Sequence, residues 1–306
     1  MYRTFFLALA RKKVIKTMIS TCPATPRVRD RFIAGTDWAS ARTRVGALVG
    51  RGMKASVGHL GLDARSPDDV ETAVGDWLAV IADIGASGWA EDVDISINLG
   101  ALGLNLRDGD DAVVAATERI AAAAQAIGTS VTINMGTPAS LARTVRVVQA
   151  LRPRYPSLGV TLPANLRRAE IDARTLSTIG GRVRLCKGSA LPVNRTSYTD
   201  AHDVDLSFVR CLKALMEGEG TPLVATHDPV MIEIAQELAA HSNRGLKDFE
   251  FELLMGVRPI EQERLADLGH TVRVYVPYGP GWYEYLVQRV AESPLNLLSF
   301  VRGLIG

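Results

Sequence analysis

Residues 268–292, LGHTVRVYVPYGPGWYEYLVQRVAE, decide the fold that the sequence predicts. Valines alternate at positions 272, 274 and 276 and indicate a β-strand. The breaker cluster Pro277–Gly281 follows the strand, and an amphipathic helix follows the cluster. Side chains that follow a strand in a parallel barrel lie at its catalytic face. We therefore expect this tyrosine-rich loop to take part in chemistry; the alternative is a last strand–helix unit whose tyrosines only cover the core.

Length and composition narrow the class of protein. The chain has 306 residues, a formal net charge of +2 and 47% hydrophobic residues, which is enough for a sizeable core. The small net charge predicts no nucleic-acid partner. Three cysteines cannot all pair with one another, so we expect reduced thiols and a cytoplasmic protein. No apolar run approaches the roughly 20 residues of a membrane helix, and Phe5–Ala10 is short for a secretory signal.

Strand and helix patterns alternate from residue 53 onward. The predicted strands are Met53–Gly58, Val93–Ile97, Ser130–Ile133, Gly159–Leu162, Arg182–Cys186, Pro222–Ala225, Phe249–Leu254 and Val272–Val276. The helices between them are a helix that Ser66 and Pro67 open, then Asp110–Ile127, Pro138–Leu151, Glu170–Ile179, Leu206–Met216, Pro229–Ala240 and Pro259–Leu268. We interpret the strands as continuous apolar runs, which are typical of a sheet covered on both faces.

Eight such units predict an α/β protein with a (β/α)₈ TIM-type barrel, a fold of about 250 residues. We assign residues 1–45 to an N-terminal helical segment that packs on the barrel, and residues 46–306 to the barrel itself. A last C-terminal helix is expected at Leu295–Leu304. A doubly wound sheet is the competing architecture, but no Gly-x-Gly-x-x-Gly follows the first strand.

The side chains that follow the predicted strands include few carboxylates. A glycosidase needs two carboxylates at its active site, so this class of enzyme is not favoured. Only His59, His227 and Asp228 qualify as metal ligands, so no metal site is expected. A Schiff-base lysine at Lys187 is conceivable. A cation beside Gly188 is more typical of an oxyanion contact, because glycine lets the backbone approach a phosphate.

Four segments resemble the monofunctional proline dehydrogenase family. They are Arg184–Gly188 (RLCKG), Ala225–Pro229 (ATHDP), Phe249–Pro259 (FEFELLMGVRP) and Arg273–Gly279 (RVYVPYG) with Trp282 and Tyr283. The resemblance covers roughly residues 30–300. It implies a modified barrel that holds FAD non-covalently and oxidises L-proline to pyrroline-5-carboxylate by hydride transfer to flavin N5. It also implies an electron acceptor, a quinone or oxygen, and for a quinone a contact with the membrane periphery.

The resemblance also implies a set of cofactor contacts. They are Arg184 near flavin N5, Pro163 beside the ring, Lys187 and Gly188 near the phosphate and ribitol chain, and Thr226, His227 and Asp228 near the phosphates and adenosine. A cation at Arg184 stabilises the negative charge of a reduced ring. Pro163 stands where the family has a glutamine that bonds the flavin, and proline has no donor, so one contact is lost or replaced.

The substrate positions depart further from the family. They are Asn98, Asn134, Leu254, Tyr275, Tyr285, Gln288 and Arg289, of which Tyr275 and Arg289, together with Arg184, are the predicted catalytic residues. The family has a lysine at Asn98, an aspartate at Asn134 and a second arginine at Gln288. Glu252 also replaces a glutamine of the motif.

Because a carboxylate loses cationic partners in such a site, we expect a divergent enzyme. Its substrate would be a small amine or amino acid, either proline or, preferably, a related or modified secondary amine from a biosynthetic pathway. Two alternatives remain open. One is a flavin-binding imine reductase or isomerase, and the other is a degenerate, non-catalytic barrel.

Overall fold

The computed structural model describes residues 25–136, 140–188 and 196–292. Helices α1 (Thr25–Phe32) and α2 (Trp38–Val49) precede the strands. The strands are β1 Lys54–His59, β2 Val93–Ile97, β3 Val131–Ile133, β4 Leu158–Pro163, β5 Arg182–Cys186, β6 Thr221–Ala225, β7 Glu250–Leu254 and β8 Thr271–Tyr278. The helices that follow β1 to β8 are, in turn, α3 Pro67–Ala86, α4 Gly109–Ile127, α5 Leu141–Leu151, α6 Ala169–Thr178, α7 Ala201–Glu217, α8 Pro229–His241, α9 Pro259–Asp267 and α10 Trp282–Glu292.

The strands close into one parallel barrel in the order β1 to β8, with β8 paired to β1. This confirms the predicted (β/α)₈ fold class. Helix α3 starts as the sequence predicts: the Ser66 side chain accepts from the Asp69 amide, and Asp69 accepts in return from the Ser66 amide. The helix predicted at Leu295–Leu304 lies outside the described residues.

Strand β8 runs two residues beyond its predicted end and contains Pro277. The prediction that proline stops this strand is wrong, because the proline costs no ladder hydrogen bond here. Pairing with β7 ends at Leu254 and Tyr275, whereas pairing with β1 continues to His59 and Tyr278. The missing amide of Pro277 therefore lies beyond the end of β7.

Helix α7 begins at Ala201, five residues before the predicted Leu206. The Asp200 carboxylate accepts hydrogen bonds from the amides of His202 and Asp203, so it caps the helix N-terminus. The prediction started at the first apolar residue and did not include this polar first turn.

The inner face of the barrel is charged, which corrects the interpretation of the strands as wholly apolar. In β2, for example, Val93 and Ile95 alternate with the buried polar residues Asp94 and Ser96. The polar positions bond across the barrel: Arg182 of β5 pairs with Asp94 and with Glu250 of β7. The alternation arises because ion pairs fill the interior while the apolar positions face the helices.

The N-terminal helices occupy two different places. Helix α2 packs on β1 and β8, whereas α10, which follows β8, packs against α1. The segment after α1 crosses the strand ends, where the Ala34 amide donates to the Pro277 carbonyl (2.8 Å) and the Gly35 carbonyl accepts from Gly279 (3.0 Å). Helix α2 thus covers the seam between the first and last strands, and α1 and α10 lie beside the carboxyl ends of the strands.

Two further observations concern the described residues. None of their helices is long and apolar enough to cross a membrane. Cys211 is buried in α7 and Cys186 is half-buried, and neither forms a disulfide with a described residue. Burial raises the pKa of Cys211 to about 11.

Candidate active site

Arg184 occupies the centre of the barrel near the carboxyl ends of the strands. Its guanidinium donates to Glu252 Oε2 (2.5 Å), to Asn134 Oδ1 (2.9 Å), and to the hydroxyls of Ser56 and Ser96 (both 2.8 Å). Desolvation works against the charge, but the carboxylates of Glu252 and Asp94 together with Tyr275 outweigh it and raise the pKa of Arg184. These four bonds leave one N–H on Nη1 with no hydrogen-bond partner among the described residues.

Asn134 links Arg184 to Tyr275. Its side-chain amide donates to the Tyr275 hydroxyl (3.3 Å), and the Arg184 guanidinium carbon lies 5.5 Å from the centre of the Tyr275 ring. The tyrosine fits only because position 58 is glycine: a β-carbon there would lie 2.1 Å from the Tyr275 hydroxyl. Three predicted site residues, one just after β3 and the others in β5 and β8, therefore meet in one contiguous group.

Lys187 lies at the end of β5 between two carboxylates. Its Nζ is 2.7 Å from Asp228 Oδ2 and 2.5 Å from Asp205 Oδ1. Burial disfavours the ammonium, but the two carboxylates prevail and raise the pKa of Lys187. The three side chains have a formal charge of −1, so Lys187 presents no excess positive charge to a phosphate.

Gly188 and Pro163 lie side by side at the ends of β5 and β4. Gly188 has a φ of +93°, and a β-carbon on it would lie 2.2 Å from Asn165 Oδ1 and 3.1 Å from Pro163 Cβ. Both the backbone conformation and the close contact thus require glycine. The loops after the two strands are joined by hydrogen bonds from the Asn165 amide to the Lys187 carbonyl and from the Ala164 amide to the Cys186 carbonyl.

The loop after β6 is held by its own polar side chains. The Thr226 hydroxyl accepts from the Asp228 amide, and Asp228 caps α8 by accepting from Val230. His227 Nε2 accepts from the Leu254 amide (2.9 Å), so the ring proton of a neutral imidazole is on Nδ1. This bond brings His227 and Leu254, two predicted site residues, together.

Asn98 is exposed, and its side chain accepts from the Gly100 amide two residues on, which closes a turn. No hydrogen bond between Asn98 and Asn134 is present. Tyr285 is half-buried in the first turn of α10. Gln288 and Arg289 belong to the same helix, but their side chains lie outside the described part of the chain.

Sequence reasoning did not assign Ser56, Ser96 or Asp205 to the site, and it noted Glu252 at a strand end without predicting its pairing with Arg184. Ser56 lies two residues before Gly58, and Ser96 lies two residues before Asn98. Residues two apart on a strand point to the same face, so this alternation could have predicted that both serines face the barrel interior. No sequence signal identified Asp205 as a partner of Lys187. Within the described residues, no cluster of three or more His, Cys, Asp or Glu side chains is placed to hold a metal ion.

The site residues fit the ring end of a flavin better than its phosphate end. Arg184 offers a cation with a remaining N–H, whereas the space beside Gly188 is filled by Asn165 and Pro163. Lys187, which was predicted near the phosphate, is already paired with carboxylates. Pro163, which was predicted beside the ring, has no donor to offer it. A closed (β/α)₈ barrel with polar groups converging at the carboxyl ends of its strands is the architecture of a barrel enzyme.

Comparison with known proteins identifies the family of barrel enzymes to which this chain belongs. The family model described as proline dehydrogenase matches residues 41–302. The chain is 28% identical over 305 residues to proline dehydrogenase 1 of Bacillus subtilis subsp. natto, covering 100% of this chain and 99% of that protein. It is 29% identical over 278 residues to a proline dehydrogenase of Deinococcus radiodurans, covering 90% and 89%. The chain belongs to the proline dehydrogenase family and is an oxidoreductase.

Solved structures agree on the fold. Proline utilization A (PutA) from Bdellovibrio bacteriovorus, inactivated by N-propargylglycine, superposes with a TM-score of 0.79 at 19% identity. PutA from Bradyrhizobium japonicum, in a D778Y mutant, superposes with a TM-score of 0.73 at 21% identity. Each match covers 86% of this chain but only about a third of the PutA chain. At these identities the likeness shows the fold alone.

Proposed function

We propose that this protein binds FAD and oxidises the C–N bond of a secondary amine or imino acid related to proline. The observation that carries the proposal is Arg184, a buried cation held by four neighbours with one N–H left for a ligand. When bound, FAD supplies the two-electron acceptor of the reaction. With FAD bound, Arg184 would stabilise negative charge on the reduced ring, and Tyr275 would help to hold the ring.

The proposed substrate is a less anionic amine than L-proline. Both described cations among the predicted site residues are already paired with carboxylates, Arg184 with Glu252 and Lys187 with Asp205 and Asp228. The neutral Asn98 and Asn134 offer a carboxylate no charge. Each lost bond between charged groups weakens binding by about 1.5–3 kcal/mol. Binding of a substrate that carries a free carboxylate would therefore depend on Arg289, a predicted site residue.

Anaerobic reduction of the flavin tests this proposal. The purified protein should be yellow or become yellow with added FAD. Its flavin absorbance should bleach at lower concentrations of pyrrolidine or L-prolinamide than of L-proline. Product formation that requires an added quinone or oxygen would separate oxidation from the reductase and isomerase alternatives.

The matched variant is Arg289→Gln. It should weaken reduction by L-proline at least tenfold and leave reduction by pyrrolidine, which has no carboxylate, nearly unchanged. Rapid bleaching by micromolar L-proline would refute the altered substrate preference. A colourless protein that never takes up FAD would refute the proposed function as a whole.

A further inference from the structure

Glu252 is the carboxylate that contacts the central cation of the site. Its Oε2 lies 2.5 Å from Arg184 Nε, and the two side chains are only 3% and 6% exposed. The other groups that bond the guanidinium, Ser56, Ser96 and Asn134, are neutral. Glu252 therefore supplies the nearest negative charge to the positive charge of Arg184.

The ion pairs across the described barrel balance in charge. The side chains that pair with one another form two levels, with Arg182, Arg273, Asp94 and Glu250 below and Arg184 and Glu252 above. Three arginines and three carboxylates give a formal charge of zero. Replacing Glu252 by a neutral group would leave one net positive charge at the upper level, next to the mouth of the site.

The second oxygen of Glu252 distinguishes it from Glu250, the carboxylate two residues earlier on β7. Oε1 is buried and has no hydrogen-bond partner among the described residues, whereas both oxygens of Glu250 bond to arginines. Burial raises the pKa of the Glu252 carboxyl, and the Arg184 guanidinium opposes the rise. A carboxylate left half-bonded in a dry interior is costly to keep for stability alone.

We propose that Glu252 is a positioning residue that lowers the reduction potential of the flavin by offsetting the charge of Arg184. The inference rests on the proposed function, because it needs bound FAD. A cation beside the ring favours the reduced form, which carries more negative charge. A carboxylate 2.5 Å from that cation opposes most of its field, so the flavin becomes a weaker oxidant and gives up electrons more readily.

The test is an anaerobic redox titration of the FAD-loaded protein against indicator dyes. Glu252→Gln keeps the side-chain size and removes the charge. We expect the equilibrium to shift at least tenfold toward reduced flavin, which for a two-electron couple raises the potential by about 30 mV. Glu250→Gln is the matched control, because it removes the same charge two residues earlier on β7, about 6.6 Å further from the site.

The control variant, Glu250→Gln, should shift the flavin potential by less than half of the shift that Glu252→Gln causes. A Glu252→Gln potential equal to that of the wild type, or a shift no larger than that of Glu250→Gln, overturns the inference. If Glu252→Gln does not fold, Glu252→Asp replaces it. That variant keeps the charge but retracts it by one methylene, so its potential should still rise, and an unchanged potential overturns the inference.

Flavin content separates this inference from the proposed function. A wild-type protein that binds no FAD overturns both. A yellow wild-type protein whose potential does not respond to Glu252 overturns the inference alone. The readout is a potential, so a variant that is merely less stable does not imitate the expected result.

Discussion

Alanine at Gly58 gives the sharpest test of how Tyr275 is placed. The new β-carbon would lie 2.1 Å from the Tyr275 hydroxyl oxygen and 2.6 Å from its Cζ. Ordinary carbon contacts lie at about 3.5–4.0 Å, so the ring must move by more than 1 Å. The move breaks the hydrogen bond from Asn134 and shifts the ring relative to Arg184.

Overpacking of this kind lowers the free energy of unfolding by about 1–3 kcal/mol. Urea denaturation of Gly58→Ala measures the loss, and we expect the midpoint to fall with little change in slope. Gly75→Ala is the matched control. Gly75 is exposed within α3 with no atom within 4 Å of a new β-carbon, so alanine there should stabilise the protein by about 0.5–1 kcal/mol.

A double-mutant cycle identifies the source of the loss. In a Tyr275→Ala background the β-carbon at position 58 has room, so Gly58→Ala should cost at least 1 kcal/mol less than in the wild type. An equal cost in both backgrounds would refute the reasoning, because the close contact with the tyrosine would then not be the cause.

Three further predictions concern stability. Arg152→Met should lower the free energy of unfolding by about 3 kcal/mol in urea, because the buried guanidinium bonds three backbone carbonyls, of Leu158, Gly180 and Arg182; a loss below 1 kcal/mol would contradict this. Ser66→Ala should cost about 1 kcal/mol in the same assay, since it removes the cap of α3, and Thr72→Ala on the same helix serves as the control. Glu250 is buried, and Arg273 and Arg182 hold its pKa far below the ordinary 4.5. The ionised carboxylate therefore contributes its full stability above pH 4.5, and this contribution is lost as the pH falls toward the pKa of Glu250 in the folded protein. Wild-type protein should lose more stability between pH 5 and pH 3 than Glu250→Gln, and parallel curves would exclude this role.

The sequence predicted the site in part. The family resemblance assigned Arg184, Asn134 and Tyr275 to one site, and hydrogen bonds of Asn134 join the three. Asn98 was assigned to the same pocket, yet its side chain closes its own turn. Its role in the substrate site remains a prediction, as do those of Gln288 and Arg289. The sequence could not reveal this turn because the same asparagine suits either a ligand contact or a local bond.

The sequence by itself determined the number and order of the strands, since hydrophobic periodicity and helix caps are local properties of the chain. It also determined the family through motifs at the strand ends. The tertiary structure alone decided that α2 covers the seam of the barrel, that Glu252 pairs with Arg184 from 68 residues away, and that Lys187 is held by Asp205 and Asp228. The physical reason is that barrel closure and strand register bring distant side chains together, and no local pattern encodes those distances.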